Sequence, residues 1–337
     1  MPIDANALTI SDYALMSNDP LVMKVTKSLL VNGAVLSDIP LIDKKSLKIT
    51  GARWTGNLPT VNWAKLNTEP AVTKGVPTPY EEQAYILRNA IDVDVKLLQD
   101  ENQIVDPRGA MLEAYLQSVS YDMNDKFINN DHTSGNPDAF VGIRARLDNP
   151  AAYGTTPELK INAGGTDMTQ SGMTSEHANN FIEYVQQMLD WMGRPEGDGV
   201  VLYMNDTLRR RFERAIRVLG TGAGFRMTED AFDRRISMYK NARIVDIGRK
   251  ADQTTRIITN TETAAGLPGA GDRTSLYAVA YGQDSFLGWQ FESFQNAVKD
   301  IGLIGNAGTI MRILIDWAFG IVQVHTRALA RIYNIKV

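Results

Sequence analysis

FINNDHTSGNPDAFVGIRARL, residues 127–147, admits two readings that predict different surroundings. Asp131 and His132 would suit a metal or hydrolytic site if further ligands converged on them. Alternatively, Asn129, Asn130, Gly135 and Pro137 are stop and turn chemistry that ends a helix. The apolar run FVGIRARL, Phe140 to Leu147 with an early Gly142, then reads as a strand.

The upstream sequence favours the structural reading. Asp106-Pro107 supplies an N-cap carboxylate and a proline at the first helical position. Leu112, Tyr115, Leu116, Val119, Met123 and Phe127 follow at steps of three and four. This spacing predicts one buried stripe along a helix from Pro107 to Asn130, ~35 Å long at the standard rise. The opening stretch is therefore the polar exit from a long helix.

No catalytic set gathers around that exit. The 337 residues include three histidines, His132, His177 and His325, far apart and without the HExxH spacing, and no cysteine. Histidine-based metal or triad chemistry, disulfides and cysteine-ligated metals are thereby disfavoured or excluded. Asp131 with His132 reads as a solvated turn, and Asp92, Asp94, Asp122 and Asp125 read as solvent-facing carboxylates. No catalytic, cofactor-binding or metal-ligating residue is assigned. GTGAGF, Gly220 to Phe225, has dinucleotide-loop glycines but follows a predicted helix where a strand is required. GLPGAGDRT, Gly266 to Thr274, puts Asp272 where a phosphate loop needs lysine.

Length and charge set the scale. A chain of this size exceeds the usual single core, so two or three lobes are expected. Lys and Arg number 35 against 39 Asp and Glu, a net charge of −4, which argues against a dedicated nucleic-acid binder. The start of the chain lacks a secretory pattern, and no run of about 18 apolar residues suggests a membrane span. A soluble protein used in a cytoplasm is expected.

The rest of the chain divides by texture. Residues 1–45 resemble an amphipathic arm interrupted at Asp19-Pro20, with IPLI beginning an extended region. From Leu47 to Leu98 the runs LKITGARW, TVNWAKL and YILRNAIDVDVKL suggest a long β-hairpin, which has little core of its own and must lie on something else. Its Trp54 and Trp63 are candidate contact aromatics. After a loop from Asn149 to Met173, an α/β-like lobe is expected. Its helix EHANNFIEYVQQMLDWM is capped by Thr174 or Ser175, and its strand VVLYM is followed by the helix TLRRRFERAIRVL, capped by Asn205 or Asp206. ARIVDIG, TSLYAVAYG and the tail from Thr309 supply further strands; no internal repeat is evident.

Arg209, Arg210, Arg211, Arg214 and Arg217 form the densest charge cluster. At about 100° per residue they spread around much of their helix, so an interface with an acidic neighbour is expected in preference to a nucleic-acid groove.

The order arm, ribbon, capped long helix, FINNDHTSGNPDAFVGIRARL and α/β lobe resembles a major capsid protein of tailed bacteriophages with the Hong Kong 97-like fold. DKFINND followed by NPDAFVGI, DPLVMKVTKSLL leading to DIPLID, and IDWAFGIVQVHTRALARIY carry the similarity. The resemblance implies an α+β chain with an arm at 1–46 and an extended loop at 47–98. It further implies a peripheral domain at 99–174 with its spine helix at 107–130, an axial domain at 175–310, and C-terminal strands at 311–337 that return to the domain sheets. It implies no cofactor, and a chain that forms pentamers and hexamers of itself in an icosahedral shell around phage double-stranded DNA. Implied partners are weakly bound DNA, a separate scaffolding protein, a portal and a decoration protein, with no membrane; assembly would occur in host cytoplasm. An encapsulin-like compartment is the alternative, and a nucleotide-dependent enzyme a weaker one. Some members crosslink a loop lysine to a neighbour's asparagine. Lys65 and Lys74 lie in that region without a matching motif, so association is expected to be noncovalent.

Overall fold

The computed structural model describes residues 33–54, 56, 58–98, 107–220, 225–229, 235–293, 297–304 and 309–337. In chain order it begins with helix α1 (Ala34–Asp38) and strands β1 (Leu41–Asp43), β2 (Lys48–Arg53), β3 (Thr78–Gln83) and β4 (Tyr85–Asp94). Helices α2 (Val95–Leu98), α3 (Pro107–Asn129), α4 (Ile143–Asp148) and α5 (Pro150–Tyr153) follow, then β5 (Lys160–Asn162), α6 (Ser175–Trp191), β6 (Val200–Met204) and α7 (Asp206–Leu219). The remainder is strand: β7 (Phe225–Glu229), β8 (Arg235–Tyr239), β9 (Ala242–Asp246), β10 (Arg273–Ala280), β11 (Phe286–Gln290), β12 (Val298–Ile304), β13 (Ile310–Gln323) and β14 (Leu329–Lys336). The expected arm lies outside the described residues up to residue 32, as do Asp106 and most of GTGAGF.

Helix α3 forms where the apolar stripe predicts. Leu112, Leu116, Val119, Met123 and Phe127 are all buried along it. Phe127 ends the stripe with edge-on contacts to Tyr203 and Phe286, each 5.9 Å between ring centroids. Those two rings belong to different sheets. Tyr203 is in β6, within the order β5-β14-β10-β6-β9-β8-β7, whereas Phe286 is in β11, within the order β1-β11-β13-β12 to which β4 adds by pairing with β13. The spine helix thus ends where the two lobes share one continuous apolar core.

Four expectations need correction. FVGIRARL does not form a strand; its second half is α4. Ile143, Ala145 and Leu147 alternate with Arg144 and Arg146, so the segment satisfies a period of two, but Ile143 and Leu147 are also one helical turn apart. Helix wins because both arginines find partners inside the fold, as described below. The expected hairpin is likewise shorter: β2 pairs antiparallel with β3, whereas the YILRNAIDVD segment leaves the ribbon as β4 and pairs along its whole length with β13. A two-stranded ribbon offers no core, while β13 offers ten consecutive partners and an apolar face. TVNWAKL forms no strand.

The segment from Asn149 to Met173 carries α5 and β5, the latter pairing parallel with β14. Finally, β11 and β12, within the expected axial span, belong to the five-stranded sheet. Of the C-terminal strands, β13 joins the five-stranded sheet and β14 the seven-stranded one.

Helix caps match the readings more closely. Thr174 accepts the His177 N–H at 3.2 Å at the start of α6, and Asn205 accepts the Leu208 N–H at 2.8 Å at the start of α7. Gly220 ends α7 in the left-handed region at φ 62°, the glycine C-cap role.

Candidate assembly surfaces and their anchors

The exit from α3 is held by one side chain. Asn130 donates through Nδ2 to the carbonyls of Asn136 (3.0 Å), Ala139 (3.2 Å) and Phe140 (2.8 Å), and its Oδ1 accepts the Asn136 N–H at 2.9 Å. Its own carbonyl accepts the Gly142 N–H at 2.8 Å. A buried amide that satisfies this many loop groups converts a polar turn into a rigid corner. His132 is half-buried, not solvated: Nε2 lies 2.7 Å from the Ala139 carbonyl and 3.2 Å from the Tyr85 hydroxyl on β4. Asp131 stays within the turn, accepting from Thr133 and Ser134.

Beyond the corner, α4 ties the ribbon to the body. Arg146 is 1% exposed and grips Glu82 of β3 through Nη1–Oε1 at 2.6 Å and Nη2–Oε2 at 2.9 Å, with Nε donating to the Val141 carbonyl at 3.0 Å. Arg53 of β2 is also buried at the ribbon root. It donates to the Tyr153 carbonyl at 2.7 Å and lies 4.3 Å over the Tyr80 ring. Two buried arginines therefore fix the base of the ribbon.

Past that base the chain carries apolar side chains into solvent. Trp63 is 98% exposed, Leu66 93%, Val61 81% and Val72 99%, with Trp54 and Leu58 also exposed. Lys65 and Lys74 are exposed on the same excursion. Several large apolar side chains thus stand uncovered by the described residues of the subunit.

Two charged groups of residues brace the lobes. Arg331, fully buried on β14, donates to Ser275 Oγ at 3.1 Å and meets Glu262 at 3.2 Å, and Glu262 also pairs with Arg144 of α4. Arg144 Nε reaches the Tyr277 hydroxyl at 2.8 Å. At the N-terminal side, buried Asp38 accepts from the Tyr203 hydroxyl at 3.0 Å and pairs with Arg243 at 2.7 Å. Burial pushes the Asp38 carboxyl up from its ordinary value, a rise that Arg243 partly offsets. Sequence reasoning missed all of these groups. The one available signal was an arginine inside an apolar run, as in Ala145-Arg146-Leu147 and Ala330-Arg331-Ile332.

The arginines of α7 do not act as one cluster. Arg209 and Arg211 are half-buried flanks, whereas Arg210, Arg214 and Arg217 lie away from the buried Leu208, Phe212 and Ala215. Asp206 is held by Arg256 at 2.5 and 3.2 Å, and that hydrogen bonding keeps its carboxyl below the usual range. The scattered carboxylates also separate: Asp92 meets Arg312 at 2.6 Å, Asp122 meets Lys126 at 2.5 Å and Asp125 meets Lys250 at 3.1 Å. Asp94 accepts the Lys96 N–H at 2.8 Å. Among the described residues, no three His, Asp or Glu side chains are placed to hold a metal ion, and no helix is long and apolar enough to cross a membrane.

The comparisons agree with this architecture. Residues 19–175 match the family model described as major capsid protein GP7. No curated protein matches the sequence. Among solved structures, the chain is similar to the holo-SrpI encapsulin complex from Synechococcus elongatus PCC 7942, at 11% identity and TM-score 0.58 over 98% of this chain and 96% of that one. It is similar to the capsid of an empty GTA particle at 10% identity and TM-score 0.58, over 90% of each chain. Microbacterium phage Oxtober96 gives 15% identity and TM-score 0.52, over 89% of this chain and 90% of that one. The fold is that of the Hong Kong 97-like shell proteins, α+β throughout. Within that fold, the similarity to major capsid protein GP7 spans residues 19–175, a little under half of the chain.

Proposed function

We propose that this chain builds, from pentamers and hexamers of itself, the icosahedral shell that encloses a bacteriophage double-stranded DNA genome, and that it does so without an active site. The observation that carries this reading is the ribbon excursion, anchored by Arg53 and Arg146 yet exposing Trp63 at 98%. A rigid base with an uncovered apolar tip is costly for a monomer and useful where symmetry-related neighbours cover it. Trp54, Trp63, Lys65 and Lys74 then contact a neighbouring subunit, and Arg210, Arg214 and Arg217 supply a second contact face, with Arg209 and Arg211 half-buried at its flanks. The domain spans follow from the same reading, with the ribbon as extended loop, α3 as spine of the peripheral domain, and the seven-stranded lobe as axial domain.

Electron microscopy of the purified full-length chain tests the reading. Closed shells with pentameric and hexameric capsomers are expected, and a discrete monomer under all assembly conditions would overturn it. The similarity to an encapsulin favours one second reading, a protein compartment. Nuclease-protected DNA inside particles recovered from infected cells supports the genome shell; copurifying enzyme cargo with no DNA supports the compartment. The GP7 family match favours the genome shell.

The partners follow from that function: a separate scaffolding protein, a portal and a decoration protein, with assembly in host cytoplasm and residence in the virion. A net charge of −4 suits weak, nonspecific contact with packaged DNA. Correct-size shells from this chain expressed alone would remove the need for a scaffold. Contacts through Lys65 and Lys74 are noncovalent, so boiling shells in detergent should give single chains and no ladder.

A further inference from the structure

The outward faces of α6 and α7 carry opposite charge in matching register. On α6, Glu176, Glu183 and Asp190 are all exposed and recur every seven residues, so they fall within ~40° of arc. On α7, Arg210, Arg214 and Arg217 fall within ~60° of arc opposite the buried face. The steps from Glu183 to Asp190 and from Arg210 to Arg217 are both seven residues, ~10 Å at the helical rise. Among the described residues, Glu176, Glu183, Asp190 and Arg214 have no ion pair, and Arg210 has only a loose contact to Asp206 at 3.5 Å. Neither stripe neutralises the other within one subunit.

The two helices pack side by side through Phe181 and Phe212, edge-on at 5.4 Å. Helix α6 contacts β14 and α7 contacts β9, strands that β10 and β6 separate in the sheet. The acidic and basic stripes therefore occupy different sides of one layer. A two-fold contact bringing α7 against α7 would oppose arginine with arginine, and one joining α6 to α6 would oppose carboxylates. A head-to-tail contact brings unlike stripes together, and a head-to-tail contact that closes on itself makes a ring.

We propose that α6 and α7 form a head-to-tail contact between copies of this chain, the α6 carboxylates of one subunit facing the α7 guanidiniums of the next. The inference rests on the shell function proposed above and specifies a contact within its rings. Exposed charge pairs of this kind set orientation and association rate more than they set affinity. Their contact selects the ring-forming arrangement over the two-fold ones.

Full-length variants test this by reversal and restoration. Arg210→Glu with Arg217→Glu, or Glu183→Arg with Asp190→Arg, should each raise the concentration needed for assembly by about tenfold, read by light scattering and electron microscopy. All four reversals on one chain should restore assembly toward the wild-type concentration. Equal mixtures of the two double variants should form even-membered rings, since unlike chains must alternate. Thermal melting should show all of these chains folded, because every substituted side chain is exposed. Unchanged assembly in both double variants, or a fourfold variant no better than the worse of them, would overturn the contact. Failure of the wild-type chain to form particles would instead overturn the shell reading itself.

Discussion

Arg146 on α4 holds Glu82 on β3 with both ends of its guanidinium, at 2.6 and 2.9 Å, although the arginine is almost wholly buried. The pair joins the exit of the spine helix to the root of the ribbon. Losing one partner of a buried ion pair leaves a desolvated charge, which costs ~3–5 kcal/mol. Arg146→Ala should lower the thermal midpoint markedly and increase hydrogen exchange at β2 and β3. The paired change Arg146→Met with Glu82→Leu should recover most of the stability. A single variant that melts like wild type would show that the joint does not depend on this pair.

Gly142 sits against the last turn of α3. A Cβ there would come within 2.6 Å of the Lys126 carbonyl oxygen and 2.9 Å of the Asn130 nitrogen, both rigid backbone atoms. Its φ of −73° suits any residue, so the constraint is space and not conformation. Gly142→Ala should therefore destabilise by ~1–3 kcal/mol, the usual cost of overpacking, measured by chemical denaturation. Gly193→Ala, with nothing within 4 Å but a φ of 73°, is a useful contrast, since it would incur only backbone strain.

Trp63 separates folding from assembly. None of the described residues covers it, so Trp63→Ser should leave the monomer's denaturation within about 0.5 kcal/mol of wild type. Particle yield by sedimentation should fall several-fold as an apolar intersubunit contact is removed. Equal yields from variant and wild type would relieve this side chain of any contact role.

Two aspartates should respond to acid in opposite senses. Side-chain and backbone donors from Thr255, with the Thr254 N–H, lower the Asp252 carboxyl from 3.8 to about 2. A depressed value means that its stabilising contribution is present above pH 3.8 and is lost as pH falls toward 2. Burial raises Asp38, so its linkage contribution is full below pH 3.8 and is lost as pH rises through its higher folded value. Difference curves of stability against pH for Asp252→Ala and Asp38→Asn, each subtracted from wild type, should slope in opposite directions. NMR titration of the Asp252 carboxyl should place it near 2. Parallel slopes would contradict these assignments.

Much of the local structure was legible because its causes are local. The stripe from Leu112 to Phe127, the Thr174 and Asn205 caps and the run VVLYM depend on neighbours a few residues away. GTGAGF is set aside by the helix predicted before it, and GLPGAGDRT by its own Asp272. FVGIRARL misled because its alternation fits a strand as well as a helix, and only the partners of Arg144 and Arg146 separate the two. The hairpin misled because local alternation cannot say which of two available strands a run will pair with.

By itself, then, the sequence determined the spine helix, its polar exit, the absence of cysteine chemistry and the order of elements that resembles a capsid subunit. Tertiary structure decided that β4 belongs to β13, that α4 is a helix, and that Glu82, Glu262 and Asp38 are held by distant arginines. Helical stripes and caps act over three or four positions, so they are written in short words. Strand partners and buried charge pairs join residues such as Glu82 and Arg146, and what selects them is the relief of burying a charge or an open edge once the chain has closed.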